Sequence, residues 1–279
     1  MAGGVRLVVF DFDQTLSCVH VFKTLAGWAE RSKGPPDPGV LRIPRPYACT
    51  ERGQMQKVVD LNTAEPFKSA GGFARSVFGG DQRVAELRRF LDGLATGGTE
   101  MMICTKGLVG AARKCLKDLQ LLEFFSEVYG NVGGDAYGGT KYDKAAAQAM
   151  LTAEERALLG TPANSGWRTK ADLISRLLLA KRLRREEAVL VEDDPEEIRK
   201  ASSVCLTHWV REAAGMQAGD FVELRRLAAP LASSGSETSY ASASSERPRA
   251  HGGAPVGPTD SCGASRRPPR QPPSRAASV

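Results

Sequence analysis

Short apolar runs alternate with amphipathic stretches along the first 231 residues of the chain. The runs at 5–10, 101–104, 124–129, 188–191 and 203–210 have the length and composition of buried strands. Between them, the helical spacing of apolar residues predicts helices at 82–94, 108–119 and 171–183. This alternation favours an α/β fold with a doubly wound, mainly parallel, Rossmann-like sheet and helices on both faces.

The apolar pattern ends near residue 231. In residues 232–279, Ser, Pro and Gly occupy 23 of 48 positions, and Leu, Ile, Met, Phe and Trp are absent. Such a segment cannot bury enough apolar surface to offset the entropy of ordering it, so we expect a disordered Ser/Pro/Arg-rich tail. Its run RRPPRQPP at 266–273 could contact a proline-recognising or acidic protein partner, although a solvated tail is the simpler expectation.

Composition narrows the class of protein. Hydrophobic residues at 42% and charged residues at 25% of the 279 positions are values of a globular protein. The net charge of +6 is too small an excess to predict a dedicated nucleic-acid-binding protein. No apolar run reaches the roughly 18 residues of a membrane span, and the start of the chain lacks the apolar region of a signal peptide. We therefore expect a cytoplasmic protein.

The cysteines and histidines do not indicate a metal site of the zinc type. The six cysteines form no CxxC pair, and the three histidines lie far apart in the sequence. Cys104 and Cys205 lie inside apolar runs, where a buried and reduced thiol is the expected state.

Polar side chains collect where the predicted strands end and where one helix begins. Because the carboxyl ends of parallel strands meet at one edge of a sheet, we expect these side chains to lie together. Taken singly, each has a structural explanation, such as a turn residue, a helix cap or a surface lysine. Taken in order along the chain, they indicate one site. They are Asp11, Asp13, Thr105, Lys170, Asp193 and Asp194.

This ordered set resembles the haloacid dehalogenase superfamily of phosphatases and phosphotransferases over roughly residues 5–225. The first motif, DxDx[TV], matches Asp11-Phe12-Asp13-Gln14-Thr15, and the second, an apolar strand ending in Thr or Ser, matches 101–105. The third, a lysine at a helix start, is matched better by Lys170 than by Lys141 or Lys144. The fourth, an acidic pair after an apolar strand, matches Asp193 with Asp194 or Glu197.

The resemblance implies an activity and a role for each motif. Asp11 would be the nucleophile that forms an aspartyl phosphate, and Asp13 the general acid and then base. Thr105 and Lys170 would stabilise the transferred phosphoryl group. A Mg²⁺ cofactor would be held by Asp11, the carbonyl of Asp13 and Asp193, with Asp194 or Glu197 in support.

Three positions depart from the usual form of these motifs. Gln14 stands where Gly is frequent, Glu192 stands where Gly or Asp often precedes the metal-binding acid, and Lys106 stands where Asn is common. The Lys106 side chain either contacts an anionic group of the substrate or faces solvent. None of the three changes removes a reacting group.

The resemblance also implies a domain organisation. Residues 1–231 would form the hydrolase domain, with a probable cap insertion at 17–80 and a second insertion at 131–167. The first insertion contains Phe22, Trp28, Tyr47, Phe67, Phe73 and Phe78, enough for a small apolar cap. The second contains a capping box formed by Thr152 and Glu155.

The function that the resemblance implies is a Mg²⁺-dependent phosphatase. A small phosphorylated metabolite is favoured over a phosphoprotein as its substrate, and a phosphomutase would use the same four motifs. The second aspartate argues against dehalogenase chemistry, which does without that acid. A protein that binds a phosphorylated ligand without turnover, as a scaffold, is the alternative from another class.

Overall fold

The computed structural model describes residues 4–27, 49–132, 151–212 and 214–229. The sheet contains β1 (Leu7–Phe10), β2 (Glu100–Leu108), β3 (Glu127–Asn131), β4 (Ala188–Glu192) and β5 (Leu206–Trp209). The helices are α1 (Val21–Leu25), α2 (Glu51–Thr63), α3 (Phe73–Val77), α4 (Gly80–Thr96), α5 (Val109–Asp118), α6 (Ala153–Arg156), α7 (Lys170–Lys181), α8 (Pro195–Ala201) and α9 (Ala218–Ala228). All five strands are parallel, in the order β3-β2-β1-β4-β5. The predicted fold class is confirmed.

Alternate residues of β1 belong to two hydrophobic cores, one on each face of the sheet. Val8 and Phe10 pack into a core shared with α4, α5 and α9, whereas Leu7 and Val9 pack into a core shared with α7. Successive side chains of a strand point to opposite faces. A central strand covered on both sides must therefore be apolar throughout, as β1 is.

The predicted strands and helices of the sheet layer are confirmed, with shifted ends. The helix predicted at 82–94 extends to Gly80–Thr96, and the strand predicted at 101–104 extends through Leu108. Other helices carried no clear apolar periodicity in the sequence. In α2, for example, Gln54 and Lys57 are buried although they are polar. The described helices that sequence patterns did not predict are α1, α2, α3, α8 and α9.

The described part of the 17–80 segment packs on the sheet layer. Phe67, Phe73 and Phe78 are buried in the same core as Phe10, and Phe12 meets Phe78 edge-on with ring centroids 5.8 Å apart. Trp28 and Tyr47 lie outside the described residues, as do Lys141, Lys144 and the predicted tail at 232–279. The capping box of Thr152 and Glu155 is confirmed at the start of α6. The proposed division into cap and core stays a prediction.

The structure also bears on the predicted buried thiols and on membrane-spanning helices. Cys104 and Cys205 are buried and free, and burial raises the pKa of both thiols, that of Cys205 to about 11. Among the helices that the structure describes, none combines the length and the apolar character required to cross a bilayer.

Candidate active site

The chain leaves β1 through a tight turn at Phe12–Leu16. The N–H of Asp11 donates to the carbonyl of Val191 at 2.8 Å, so Asp11 continues the pairing with β4. Gln14 then takes a left-handed conformation with φ 60°. The Ser17 hydroxyl closes the turn: its oxygen lies 3.0 and 2.7 Å from the carbonyl oxygens of Phe12 and Val19, which share its single proton. The turn is thereby held at the carboxyl edge of the sheet.

The loop between β5 and α9 supports this turn from outside. The N–H groups of Gly215 and Met216 donate to the carbonyls of Gln14 and Thr15 at 3.1 and 2.8 Å. Gly215 has φ 78°, and a Cβ there would lie only 2.7 Å from the Ser17 carbonyl oxygen. Glycine is required at this position both by the backbone conformation and by the close approach.

Lys170, Asp11 and Glu192 form a cluster that we call the buried triad. Thr169 caps α7 by accepting from the N–H of Asp172, and Lys170 is the first residue of that helix. The Lys170 ammonium donates to Oδ1 of Asp11 and to Oε2 of Glu192, the latter at 2.5 Å. Lys170 is 1% exposed and Glu192 is 2% exposed. The predicted lysine thus reaches the predicted nucleophile from the neighbouring helix.

The buried triad shifts the ionisation of its members. Burial, with a further contribution from Asp13, raises the pKa of Asp11 to about 6 against the opposing charge of Lys170. Burial and then the charge of Asp11 raise the pKa of Glu192 to about 8. Burial disfavours the charged form of Lys170, but the two carboxylates outweigh it and raise the pKa of the ammonium. The positive charge of one lysine therefore does not neutralise the carboxylates at this edge of the sheet.

Asp193 adds a third carboxylate next to the two of the buried triad. One oxygen from each of Asp11, Glu192 and Asp193 lies within 4.8 Å of the others. Thr15 donates to Asp193 at 3.4 Å, and burial raises the pKa of Asp193. Three clustered carboxylates with raised pKa values and oxygen donors of this kind fit a hard divalent cation such as Mg²⁺.

Asp13 lies beside the triad and is held by a different set of contacts. The N–H of Phe22 donates to Oδ1 of Asp13 at 3.2 Å, and His20 Nδ1 lies 3.2 Å from Oδ2. A Cβ at Gly107 would lie 3.2 Å from both Oδ2 of Asp13 and Oγ1 of Thr105. Glycine at 107 therefore lets the end of β2 come close to Asp13.

Thr105 is buried beneath this edge. Its hydroxyl oxygen accepts from the N–H of Gly107 at 2.9 Å, and the residue is 1% exposed. Because that contact uses only an acceptor lone pair, the hydroxyl proton remains available for donation. The predicted contact between Thr105 and a phosphoryl group stays a prediction.

Lys106, Asp194 and Glu197 form a second cluster that we call the rim triad. The Lys106 ammonium lies 3.4 Å from Asp194 and 3.2 Å from Glu197. Asp194 also caps α8 by accepting from the N–H of Glu196 at 2.9 Å. Burial disfavours ionisation of both acids, but their hydrogen bonds and Lys106 outweigh it and lower the pKa of each.

The predicted metal ligands are thus only partly brought together. Asp11 and Asp193 meet in one cluster, but the carboxylates of Asp194 and Glu197 are engaged in the rim triad. Glu192 completes the acidic cluster instead. The sequence contained a signal for this. Glu192 is two residues after Leu190, which packs on the α7 face of the sheet, so its side chain shares that face with Lys170.

These side chains surround an open cleft of about 340 Å³ at the carboxyl edge, which we call the acidic cleft. Five of the six predicted site residues line it, and Thr105 does not. Among the other lining residues are three ionisable ones to which sequence reasoning assigned no role in the site, namely His20, Lys23 and Glu192.

Among known proteins, the chain is similar only to solved structures. No family model and no curated protein matches the chain. A haloacid dehalogenase-like hydrolase from Streptococcus pneumoniae is similar at 18% identity and TM-score 0.36, over 79% of this chain and 90% of that one. A haloacid dehalogenase-superfamily hydrolase from Ehrlichia chaffeensis is similar at 13% identity and TM-score 0.39, over 82% and 98%.

A third similar structure is the N-terminal part of a Bacteroides fragilis protein, described as containing a phosphatase domain complexed with Mg. The identity is 13% and the TM-score 0.41, over 81% of this chain and 40% of that one. The chain has an α/β fold with a five-stranded parallel sheet, and five of the six predicted site residues line the cleft at its carboxyl edge.

Proposed function

We propose that the chain is a Mg²⁺-dependent phosphatase that hydrolyses a phosphate monoester through an aspartyl-phosphate intermediate. The observation that carries the proposal is the buried triad. A carboxylate at the end of the central strand contacts a buried lysine and lies within a three-carboxylate cluster. A nucleophile, a fixed positive charge and donors for a cation therefore occur within one cleft.

In the proposed first step, the Asp11 carboxylate attacks phosphorus and the bond from phosphorus to the ester oxygen breaks. Protonated Asp13 gives its proton to the leaving oxygen, which departs as an alcohol. The ion pair with Lys170 supports this role, because it favours the ionised form of Asp11 despite burial. The contacts from Phe22 and His20 fix the orientation of Asp13.

In the proposed second step, the Asp13 carboxylate takes a proton from water while the water oxygen attacks phosphorus. The bond between phosphorus and Asp11 breaks, orthophosphate leaves, and both aspartates return to their starting states. Lys170 stabilises the negative charge of the phosphoryl oxygens in both steps.

The residues that would hold Mg²⁺ are Asp11, Glu192 and Asp193. When bound, the cation supplies neutralisation of charge on the phosphoryl group. This set replaces the support expected from Asp194 or Glu197, whose carboxylates contact Lys106 and do not belong to the group of three. The volume of the acidic cleft, about 340 Å³, is in the range of small-molecule sites and supports a small phosphorylated metabolite as the substrate.

The test is release of phosphate from an aryl phosphate by the full chain, with and without Mg²⁺. We expect Mg²⁺-dependent release that falls by about a thousandfold or more in Asp11→Asn, because the nucleophile is lost. Asp92→Asn, an equivalent change at an exposed position of α4, is the matched control. Comparable turnover by Asp11→Asn would refute the proposal. Binding of Mg²⁺ and orthophosphate without turnover would identify a phospholigand-binding protein instead.

A further inference from the structure

Helix α2 contains a glutamine, Gln54, whose side chain is fully buried. Burying an amide costs free energy unless the amide finds a hydrogen-bond partner. The side chain of Gln54 finds its partner outside its own helix, because Nε2 donates to the main-chain carbonyl of Phe22 in α1 at 3.0 Å. This contact joins α2 to one particular residue of α1.

The same residue, Phe22, binds the proposed general acid. Its N–H belongs to the first turn of α1, where N–H groups have no partner within a helix. It donates instead to Oδ1 of Asp13 at 3.2 Å. Asp13, Phe22 and Gln54 also line one small cavity of about 10 Å³. Two hydrogen bonds, one on each side of Phe22, therefore connect α2 with Asp13.

The connection matters because α1 is short. A helix of five residues is not stable by itself, so contacts with neighbouring segments decide where its first N–H groups point. The ring of Phe22 packs against Ala26 and Leu108. The Gln54 amide contacts the main chain of Phe22 itself. Packing therefore holds the ring, whereas the hydrogen bond holds the backbone that binds Asp13.

The contact with Phe22 also distinguishes the two oxygens of Asp13. An N–H donor favours the carbonyl form of the oxygen that it contacts, so the acidic proton is placed on Oδ2 rather than on Oδ1. Oδ2 lies 3.2 Å from Nδ1 of His20, a residue that lines the acidic cleft. A displaced Phe22 N–H would therefore change both the direction of the carboxyl group and the oxygen that carries its proton.

We propose that Gln54 is a positioning residue for Asp13. By holding the main chain of Phe22, it orients the carboxyl group that protonates the leaving oxygen. The inference rests on the proposed function, because it takes Asp13 as the general acid. Gln54 does not line the acidic cleft, so it acts through Phe22 and not by contact with the substrate.

The test uses two aryl phosphates that differ in their need for a proton. Phenyl phosphate has a poor leaving group that departs with a proton, whereas 2,4-dinitrophenyl phosphate releases a stable phenolate that departs without one. For the full chain with Mg²⁺, Gln54→Leu should lower kcat/KM about tenfold for phenyl phosphate and less than about twofold for the dinitrophenyl ester. A loss of folded protein would lower both values equally.

The matched control is Gln56→Leu, two residues further along α2. Gln56 is also buried, but its Nε2 donates to Asp60 of the same helix at 2.8 Å, so the ratio of the two kcat/KM values should not change. Gln54→Leu should fold like wild type in urea denaturation. The carbonyl of Phe22 still accepts from the N–H of Ala26 at 2.9 Å, so this acceptor stays paired.

A double-mutant cycle shows whether Gln54 acts through Asp13. Asp13→Asn alone should cause a larger selective loss with phenyl phosphate. Adding Gln54→Leu to that variant should then lower kcat/KM by less than about twofold, because the proton donor is already absent.

The outcomes separate this inference from the proposed function. Equal changes for both esters in Gln54→Leu, no change for either, or an additive loss in the double variant would overturn the inference and leave the phosphatase proposal standing. Hydrolysis of only the dinitrophenyl ester by wild type would exclude a working general acid, and the inference with it. If wild type hydrolysed neither ester, the phosphatase proposal itself would fail, and a role for Gln54 in it would fall too.

Discussion

Two lysine–carboxylate triads lie side by side at the carboxyl edge of the sheet, and they differ in burial and in charge balance. In the buried triad, Lys170 contacts Asp11 and Glu192, and the pKa values of both acids are raised. In the rim triad, Lys106 contacts Asp194 and Glu197, and the pKa values of both acids are lowered. The same pairing of residue types thus produces opposite electrostatic states.

The difference in charge balance distinguishes a candidate functional site, the buried triad, from a structural ion-pair cluster, the rim triad. Glu197 of the rim triad has a second lysine, Lys200, at 3.2 Å. The two lysines therefore nearly balance the charge of the two carboxylates of the rim triad. The buried triad shares its place with Asp193, so three acids face one lysine. Carboxylates that are buried in excess are expensive to ionise unless a cation or a phosphoryl reaction uses them. The excess at Asp11, Glu192 and Asp193 therefore supports a functional role.

The largest expected effect is the loss of stability on replacing Lys170, and the same replacement of Lys106 in the rim triad is its comparison. Lys170→Met should lower the free energy of unfolding by about 3 kcal/mol or more, because it leaves buried carboxylates without their partner. Lys106→Met should cost less than about 1 kcal/mol, because half of that side chain is exposed to water. Urea denaturation at neutral pH without Mg²⁺ measures both. Equal losses in the two variants would remove the distinction between the triads.

An intermediate effect is expected from Glu197→Gln. This change should cost about 2 kcal/mol at pH 7, because Lys106 and Lys200 lose a buried charged partner. The pKa of Glu197 is lowered in the folded protein, so its contribution is present above the unfolded value of about 4.5 and is lost as the pH falls through the folded value. The stabilities of variant and wild type should therefore converge in acid.

The control for that experiment is Glu212→Gln, at an exposed position, which should change stability by less than about 0.5 kcal/mol at any pH. A difference between Glu197→Gln and wild type that widened on acidification would show that the carboxylate is not held ionised by the rim triad.

The smallest effect concerns the turn that carries Asp11. Gln14 has φ 60°, a region that costs a residue with a side chain about 1–2 kcal/mol. Glycine relieves this strain but gains entropy in the unfolded chain, so Gln14→Gly should stabilise the protein by about 0.5–1 kcal/mol. Gln120→Gly, at φ 54° and away from the acidic cleft, should give a gain of similar size. Loss of stability in Gln14→Gly alone would show that the side chain at 14 offsets the strain of the turn.

The sequence predicted the sheet and the position of the site because both follow from short-range patterns. Apolar runs marked the strands. Asp11 and Asp193 follow parallel strands and Lys170 begins a helix, so all three were expected at the carboxyl edge of the sheet. Helix α2 was not predicted, because buried polar residues such as Gln54 interrupt its apolar periodicity. Its position depends on packing against α5, which only the folded chain defines.

The choice between acids also depended on three-dimensional structure. From sequence, Asp194 and Glu197 were candidates to support the cation, since both follow Asp193 closely. The structure directs Asp194 to the start of α8 and Glu197 to Lys106, whereas the alternation along β4 directs Glu192 to Lys170. Which lysine each acid meets is a long-range contact that sequence spacing alone does not specify.

Calorimetric binding of Mg²⁺ tests most directly whether the buried triad, and not the rim triad, is the functional site. The full chain is measured with either Glu192→Gln or Asp194→Asn. Both changes replace a carboxylate with an amide of the same shape, one in each triad. We predict that Glu192→Gln weakens Mg²⁺ binding about tenfold or more, while Asp194→Asn changes it by less than about threefold. Weaker binding in Asp194→Asn with unchanged binding in Glu192→Gln would contradict the assignment of the buried triad as the functional site.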